Sequence, residues 1–344
     1  MAERVLVTGA GGFIGHHMVR YLVANGYWVR GADIRCPEFE PSPAHDFELV
    51  DLRHAEACLA VARDVRQIYH LASDLPLGHV TADRAKVLRN NTVMDIHVLE
   101  AARLNQVECL LFTSSAYIYP QYLQRQPAMR PLREDDAWPA DPEEGQGLQK
   151  LYIEKLSEYY TEDFGLETRV ARLHNIYGPL GRYEGGQEKA PAAICRRVAL
   201  ADHGGVIDVW GDGKQTRSFM YVDDCVEGLH RLMRSDCAVP VNLDTRQMVT
   251  VDELVRLVAA IAGKPVRIRH NRSMPQGPRV CHNDSALARH VLQWEPQVSL
   301  PEGLARTYAW IAQQLAQRGA SIHGQTVARG SAREHLREPV VTAA

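Results

Sequence analysis

Glycines at positions 9, 12 and 15 stand in the run Val5-Leu6-Val7-Thr8-Gly9-Ala10-Gly11-Gly12-Phe13-Ile14-Gly15. Their spacing is that of a phosphate cradle. Gly9 permits a sharp turn, Gly12 lets the backbone approach a pyrophosphate, and Gly15 lets a following helix pack closely on the strand. The helix N-terminus then offers free N–H groups to the phosphates. A tight turn alone would need no more than the glycines. Here an apolar strand-like segment precedes them, a helical pattern follows, and Asp33 ends the next strand-like segment. A carboxylate there accepts hydrogen bonds from ribose hydroxyls and repels a 2′-phosphate, which favours NAD over NADP.

Such a turn works only if strands and helices present it. Strand patterns lie at Arg4–Thr8, Trp28–Asp33, Phe47–Asp51, Gln67–Leu71, Cys109–Ser114 and Thr168–Leu173. Helical patterns lie between them at Gly12–Asn25, His54–Arg63, Arg84–Asn105 and Gly145–Phe164. This alternation predicts an α/β fold, a doubly wound parallel sheet covered by helices, binding its ligand beyond the strands' carboxyl ends. We expect an NAD-binding domain over residues 1–175, partly interleaved with later segments. A smaller substrate lobe is expected over 176–317, with helices at Ala190–Ala201, Asp223–Met233, Val251–Ala262 and Pro301–Gln317. From Arg318 to Ala344 large apolar residues thin out, which predicts a disordered tail.

Composition narrows the function. The chain has 344 residues and a formal net charge of −3, which argues against nucleic acid as a partner. No apolar run is long enough for a membrane span. Met1-Ala2-Glu3 leads straight into a strand pattern, so no secretory signal is expected. Seven cysteines form no CxxC pair, and the 15 histidines show no metal-ligand spacing. Reduced thiols, a cytoplasmic location and no metal site are the expectation.

Further segments add up to a family. They are Thr113-Ser114-Ser115-Ala116-Tyr117-Ile118-Tyr119-Pro120, Asp136-Ala137-Trp138-Pro139, His174-Asn175-Ile176-Tyr177-Gly178-Pro179, Glu188-Lys189-Ala190-Pro191 and Trp210-Gly211-Asp212-Gly213-Lys214-Gln215-Thr216-Arg217-Ser218-Phe219. With the glycine turn, they give a chain that resembles the extended short-chain dehydrogenase/reductases acting on nucleotide sugars. Within these it is most similar to the GDP-mannose 3,5-epimerase family, over roughly residues 3–315. The resemblance implies a Rossmann-type domain carrying NAD, a lobe carrying a GDP-sugar, and a homodimer. It implies C4 oxidation, epimerisation at C3 and C5 by an acid/base pair, and C4 re-reduction. Oxidation comes first because the C4 ketone acidifies the neighbouring C–H groups.

By the same resemblance, Phe13, Ile14, Asp51, Leu52, Leu71 and Lys150 join Gly9, Gly12, Gly15 and Asp33 at the cofactor. Ser115, Ala116, Tyr117, Asn175, Glu188, Lys189, Ala190, Arg197, Gln215, Thr216, Arg217, Arg279 and Tyr308 fall to the substrate. Arg217 and Arg279 suit the diphosphate, where a planar bidentate cation is favoured. Lys189 matches one member of the acid/base pair.

Three departures stand out. The family's redox triad is Ser or Thr, then Tyr, then Lys four residues on. Ser115 and Lys150 match, but the tyrosine position is Gln146, which has no ionisable proton and cannot act as that base. None of the 13 tyrosines has a lysine four residues later. The family's acid/base cysteine is replaced by Tyr117. The segment Leu71–Gly78 is one residue shorter than the family's glycine-rich stretch and carries Pro76, which predicts a reshaped hexose pocket. Two other readings stay open: a related isomerase or dehydratase using Tyr117, and a non-catalytic binder of NAD and a sugar nucleotide.

Overall fold

The computed structural model describes residues 2–74, 84–124, 130–186, 188–274 and 280–328. Pro76 and Arg279 therefore lie outside the described residues, as do 329–344. The first half runs β1 (Arg4–Thr8), α1 (Phe13–Ala24), β2 (Trp28–Asp33), β3 (Asp46–Leu49), α2 (Ala55–Val61), β4 (Gln67–His70), α3 (Arg84–Leu104) and β5 (Cys109–Ser115). A short helix α4 (Gln121–Gln124), then α5 (Gln146–Phe164) and β6 (Glu167–Leu173), follow. The second half continues with β7 (Ile176–Tyr177), α6 (Ala190–Leu200), β8 (Val206–Trp210), β9 (Thr216–Ser218), β10 (Met220–Tyr221), α7 (Val222–Met233) and β11 (Val241–Leu243). The chain then forms β12 (Met248–Thr250), α8 (Val251–Ile261), β13 (Arg267–Asn271), β14 (Val280–Cys281), α9 (Ala286–Leu292) and α10 (Leu300–Ala328).

Seven strands make one parallel sheet in the order β11-β6-β5-β4-β1-β2-β3. β1 sits inside it, and Val5, Leu6 and Val7 are buried on both faces, as an unbroken apolar run in a covered parallel strand requires. Strands β2 and β3 extend one way from β1, and β4, β5 and β6 the other. The order therefore reverses between β1 and β4, and the crevice at that reversal is where open α/β sheets bind ligands.

The two faces have separate cores. On one, α2, α3 and α5 bury Leu52, Val98, Leu99 and Ile153 against Leu6, Ile68 and Phe112. On the other, α1 and α7 cover Val5, Val7 and Leu111, and that core runs on through Cys195, Val198, Leu254 and Leu304 of the second half. Strand β11 and helix α7 come from beyond residue 176 yet complete the sheet domain. The remaining later elements form small sheets, β12-β9-β14 and β13-β8, packed with α6, α8 and α10. Helix α8 starts where a capping box demands it: Thr250 Oγ1 accepts from Glu253 N at 3.1 Å, and Glu253 Oε2 accepts from Thr250 N at 2.8 Å. One expectation needs correction. Helix α10 continues past Gln317 to Ala328, so the tail expected from Arg318 begins inside a helix.

Candidate active site

The ends of β1, β3, β4, β5 and β6 lie on one edge of the parallel sheet. Gly9, Asp51, Leu71, Ser115 and Asn175 follow or close these strands, so the fold delivers them to the same edge. Gly9 has φ +70°, and a Cβ there would lie 2.7 Å from Ala72 N. At Gly15 a Cβ would fall 2.0 Å from the Gly9 carbonyl oxygen. Both positions are closed to any side chain by the protein itself. Gly12 differs. A Cβ there would meet only the Gly9 oxygen, at 3.2 Å, so the space above it is open to a ligand. It caps α1, a helix of 12 residues, with no side chain over the free N–H groups.

Asp33 Oδ2 accepts from Gly11 N at 2.9 Å, and its Oδ1 from Arg35 N at 3.2 Å. Each oxygen retains a lone pair for a hydroxyl donor. Burial raises its pKa, and these N–H groups oppose the rise. Asp51 accepts from the backbone N and Nε of Arg53, which holds its carboxyl down at about 2. Leu52 is buried beside it, and Phe13 and Ile14 are half-buried against the core. Leu71 N donates to Thr8 Oγ1 at 3.2 Å. The open face at Gly12 and the free acceptors of Asp33 fit a dinucleotide.

At the end of β5, Ser115 Oγ accepts from Tyr117 N at 3.2 Å and caps the single turn through buried Ala116. Tyr117 is 41% exposed. Its carbonyl accepts from Glu143 N at 3.0 Å, and a Cβ on Gly147 would lie 2.3 Å from that oxygen. Gly147 therefore lets the start of α5 close on the Tyr117 turn. Gln146, half-buried, is the first residue of α5, one turn before Lys150 on the same face. Lys150 is 4% exposed, with Nζ 4.3 Å from the Phe112 ring centre. Burial lowers its pKa, against the pull of Asp95 and Glu154.

The later segments carry the other residues expected at the substrate. Lys189 is the residue before α6, whose first turn holds Ala190 and Pro191. Surrounding protein lowers the Lys189 pKa, although the residue stays open to solvent on one side. The neighbouring Glu188 Oε2 is buried without a hydrogen-bond partner among the described residues, as is Gln215 Oε1. Arg197 and Trp210 line an open groove of about 460 Å³, with Arg197 donating to the Asp208 carbonyl at 2.9 Å. Gln215 Nε2 donates to the Trp210 carbonyl at 3.1 Å. Thr216 begins β9, and Arg217 donates to the Thr216 carbonyl at 2.7 Å. Asn175 Nδ2 donates to the Ser218 carbonyl at 3.2 Å. Tyr308 is half-buried on α10, and burial raises its pKa.

Sequence reasoning passed over Gly11, which holds Asp33, and a buried line of side chains through Thr8, His70, Asp95 and Gln149. Among the described residues there is no cluster of three or more metal-ligating side chains, and no helix long and apolar enough to cross a membrane.

Comparison with known proteins fits this geometry. The model of the NAD dependent epimerase/dehydratase family matches residues 5–243. GDP-mannose 3,5-epimerase 1 of Oryza sativa subsp. indica is 41% identical over 327 residues, covering 93% of this chain and 85% of that protein. The GDP-mannose 3,5-epimerase of Arabidopsis thaliana is 40% identical over 320 residues, covering 92% and 84%. Among solved structures, UDP-glucose 4-epimerase of Thermotoga maritima, determined with UDP-glucose, superposes with a TM-score of 0.80 at 26% identity, covering 91% of this chain and 99% of that one. UDP-glucose 4-epimerase of Thermus thermophilus, in complex with NAD, gives 0.76 at 26%, covering 90% and 98%. With the cofactor turn at the switch point of the sheet and relatives of this similarity along nearly its whole length, the chain belongs to the NAD dependent epimerase/dehydratase family and is an NAD-dependent nucleotide-sugar epimerase.

Proposed function

We propose that the substrate is a GDP-hexose of the GDP-mannose type, oxidised at C4, epimerised at C3 or C5, and reduced again at C4. The observation that carries this reading is the shared sheet edge. The dinucleotide turn, Ser115 and Asn175 follow strands that end at that edge, in a chain 40–41% identical to GDP-mannose 3,5-epimerases. Gly9, Gly12, Gly15 and Asp33 hold NAD, which supplies a reversible hydride acceptor. Lys150 holds the nicotinamide ribose, with Phe13, Ile14, Asp51, Leu52 and Leu71 around the cofactor. The nucleotide lies along Arg197, Gln215, Thr216 and Arg217, with Arg279, Asn175 and Tyr308 completing its contacts.

Gln146 cannot take the C4 hydroxyl proton. Tyr117, which follows Ser115 on the same turn, holds that proton and returns it. Lys189, beside Glu188 and Ala190, serves one face of the ring carbon next to the C4 ketone, as one member of an acid/base pair whose other member exchanges the proton on the opposite face. A lysine with lowered pKa suits this, because it spends more time as the free amine. A second reading is favoured by Gln146 itself: without a phenol at the head of α5, the protein would bind NAD and a GDP-sugar without turning the sugar over. The protein acts in the cytoplasm as a homodimer. The partner copy covers the face of α5 where Leu148, Tyr152 and Tyr159 are each about half exposed.

The test is incubation with GDP-mannose in D2O, followed by NMR of the sugar. Deuterium at C3 or C5 is expected. An intact sugar that nevertheless saturates the protein would select the binder. GDP should raise the melting temperature more than UDP or dTDP, since a ligand of the folded state stabilises it by mass action.

A further inference from the structure

Four buried groups run in line from the phosphate turn to the lysine helix. The backbone N–H groups of Leu71 and Ala72 donate to Thr8 Oγ1 at 3.2 and 3.3 Å. With its acceptor sites taken, the Thr8 hydroxyl donates to His70 Nδ1, 2.7 Å away. That leaves the His70 proton on Nε2, which donates to Asp95 Oδ1 at 2.8 Å. Gln149 Nε2 donates to Asp95 Oδ2 at 2.6 Å. With these directions His70 accepts at Nδ1 and donates from Nε2, and both Asp95 oxygens accept, as a carboxylate's do.

Asp95 is 1% exposed, and an anion so deep requires a cation. Arg172 is engaged elsewhere: it grips Glu154 through contacts of 2.7, 3.1 and 3.2 Å and also donates to Tyr119 Oη and the Glu134 carbonyl. Lys150 is the next residue after Gln149. Its ammonium lies over Phe112, which pairs in register with His70 across β4 and β5. The ionisable groups around it are Asp95 from α3, His70 from β4 and Glu154 from α5, with Arg172 of β6 behind Glu154.

We propose that Asp95 is the fixed counter-charge of Lys150, clamped by His70 and Gln149, and so the positioning residue for the lysine that meets the cofactor. The cofactor role of Lys150 is the reading made above. The electrostatics agree: Asp95 is the largest influence holding the Lys150 ammonium charged against its burial. The clamp also ties the phosphate turn to α5. Three side-chain hydrogen bonds link Thr8, beside the turn, to Gln149 in the first turn of α5.

Asp95→Asn removes the charge and keeps the shape. Gln149 Oε1 is buried without a partner among the described residues, so rotation of that amide accepts the new N–H group. The chain has six lysines, so protein labelled with 13C at lysine Cε gives six signals, assigned by Lys150→Met. In Asp95→Asn the titration midpoint of Lys150 should fall by about 1–3 pH units. The alkaline loss of NAD affinity, followed by calorimetry, should move down with it. An unchanged midpoint overturns the proposal. A lower midpoint with NAD affinity unchanged at every pH keeps the clamp and rejects the cofactor role of Lys150. Should Asp95→Asn alone not fold, the pairing is read from Lys150→Met, which strands the anion. Adding Asp95→Asn to it should raise the melting temperature. A double variant melting below Lys150→Met overturns the pairing.

Discussion

Gly12 and Gly15 look equivalent in sequence, and the structure separates them by what a single methyl group would meet. In Gly15→Ala the new Cβ lies 2.0 Å from the Gly9 carbonyl oxygen and 2.6 Å from its carbon, both backbone atoms that cannot swing away. Either α1 lifts from β1 or the turn opens, an overpacking cost of about 1–3 kcal/mol or more. In Gly12→Ala the backbone is extended, at φ −87° and ψ 174°, which any residue adopts. Its Cβ meets only one oxygen, at 3.2 Å. Loss of a good cap costs up to about 1 kcal/mol. The methyl instead fills the open face where the pyrophosphate approaches. If the cofactor backs away at the same overpacking cost of about 1–3 kcal/mol, NAD affinity falls roughly 5- to 150-fold. Thermal melting without cofactor and calorimetric NAD titration read the two effects separately. Gly15→Ala should lose stability first, and Gly12→Ala should lose affinity with stability nearly kept. An affinity for NAD in Gly12→Ala equal to that of the parent would refute the approach at Gly12.

The parent should bind NAD in preference to NADP, and Asp33→Ser should narrow that preference; equal affinities in the parent would remove Asp33 from the ribose. A missing general base costs about 10²–10⁴-fold in rate, so Gln146→Tyr should raise the bound NADH seen on mixing with GDP-mannose. Tyr117→Phe should abolish turnover, and Lys189→Met should stop deuterium exchange while sparing nucleotide binding. Neutrality of both Gln146→Tyr and Tyr117→Phe in an active parent would place the proton path elsewhere. Burial lowers the pKa of His17, His230 and His282. On acidification below about 6.5 the unfolded chain therefore takes up protons before the folded one does, and stability should fall. A melting temperature that rises between pH 7 and pH 5.5 would contradict those burials.

The sheet domain was legible because its signals are local. Apolar runs such as Val5–Val7 mark covered strands, and the helices between them carry whole turns of pattern, so Arg84–Leu104 ends within a residue of its expected limit. The later strands were not. Arg267-Ile268-Arg269-His270-Asn271 forms β13 with one apolar residue, through pairing with β8 rather than by burial. Helix α9 is seven residues long, under two full turns of pattern. The end of α10 was placed by fading hydrophobicity, while helix formers such as Ala316, Gln317 and Ala320 carry the helix on. In the site, the glycines and Asp33 declare themselves through spacing. Gly11 and Gly147 serve close approaches to Arg35 and Tyr117, backbone that comes near only in three dimensions. Thr8, His70, Asp95 and Gln149 sit on four elements, with successive partners 62, 25 and 54 positions apart, and each alone reads as ordinary core.

Strand β11 bears on how the chain can be cut and recombined. Its partners across the ladder are Ala171, Arg172 and Leu173 of β6, some seventy positions earlier. During synthesis β6 emerges with a bare margin and stays so until the intervening substrate segments have been made, an interval in which open strand edges invite association. A graft joined at residue 175 to exchange sugar specificity would replace β11 and α7 with the donor's, so that a foreign strand and helix must fit β6 and the cofactor half. Chimeras of this protein must therefore be designed as insertions, exchanging 176–219 and the stretch after 244 while β10, α7 and β11 travel with the host.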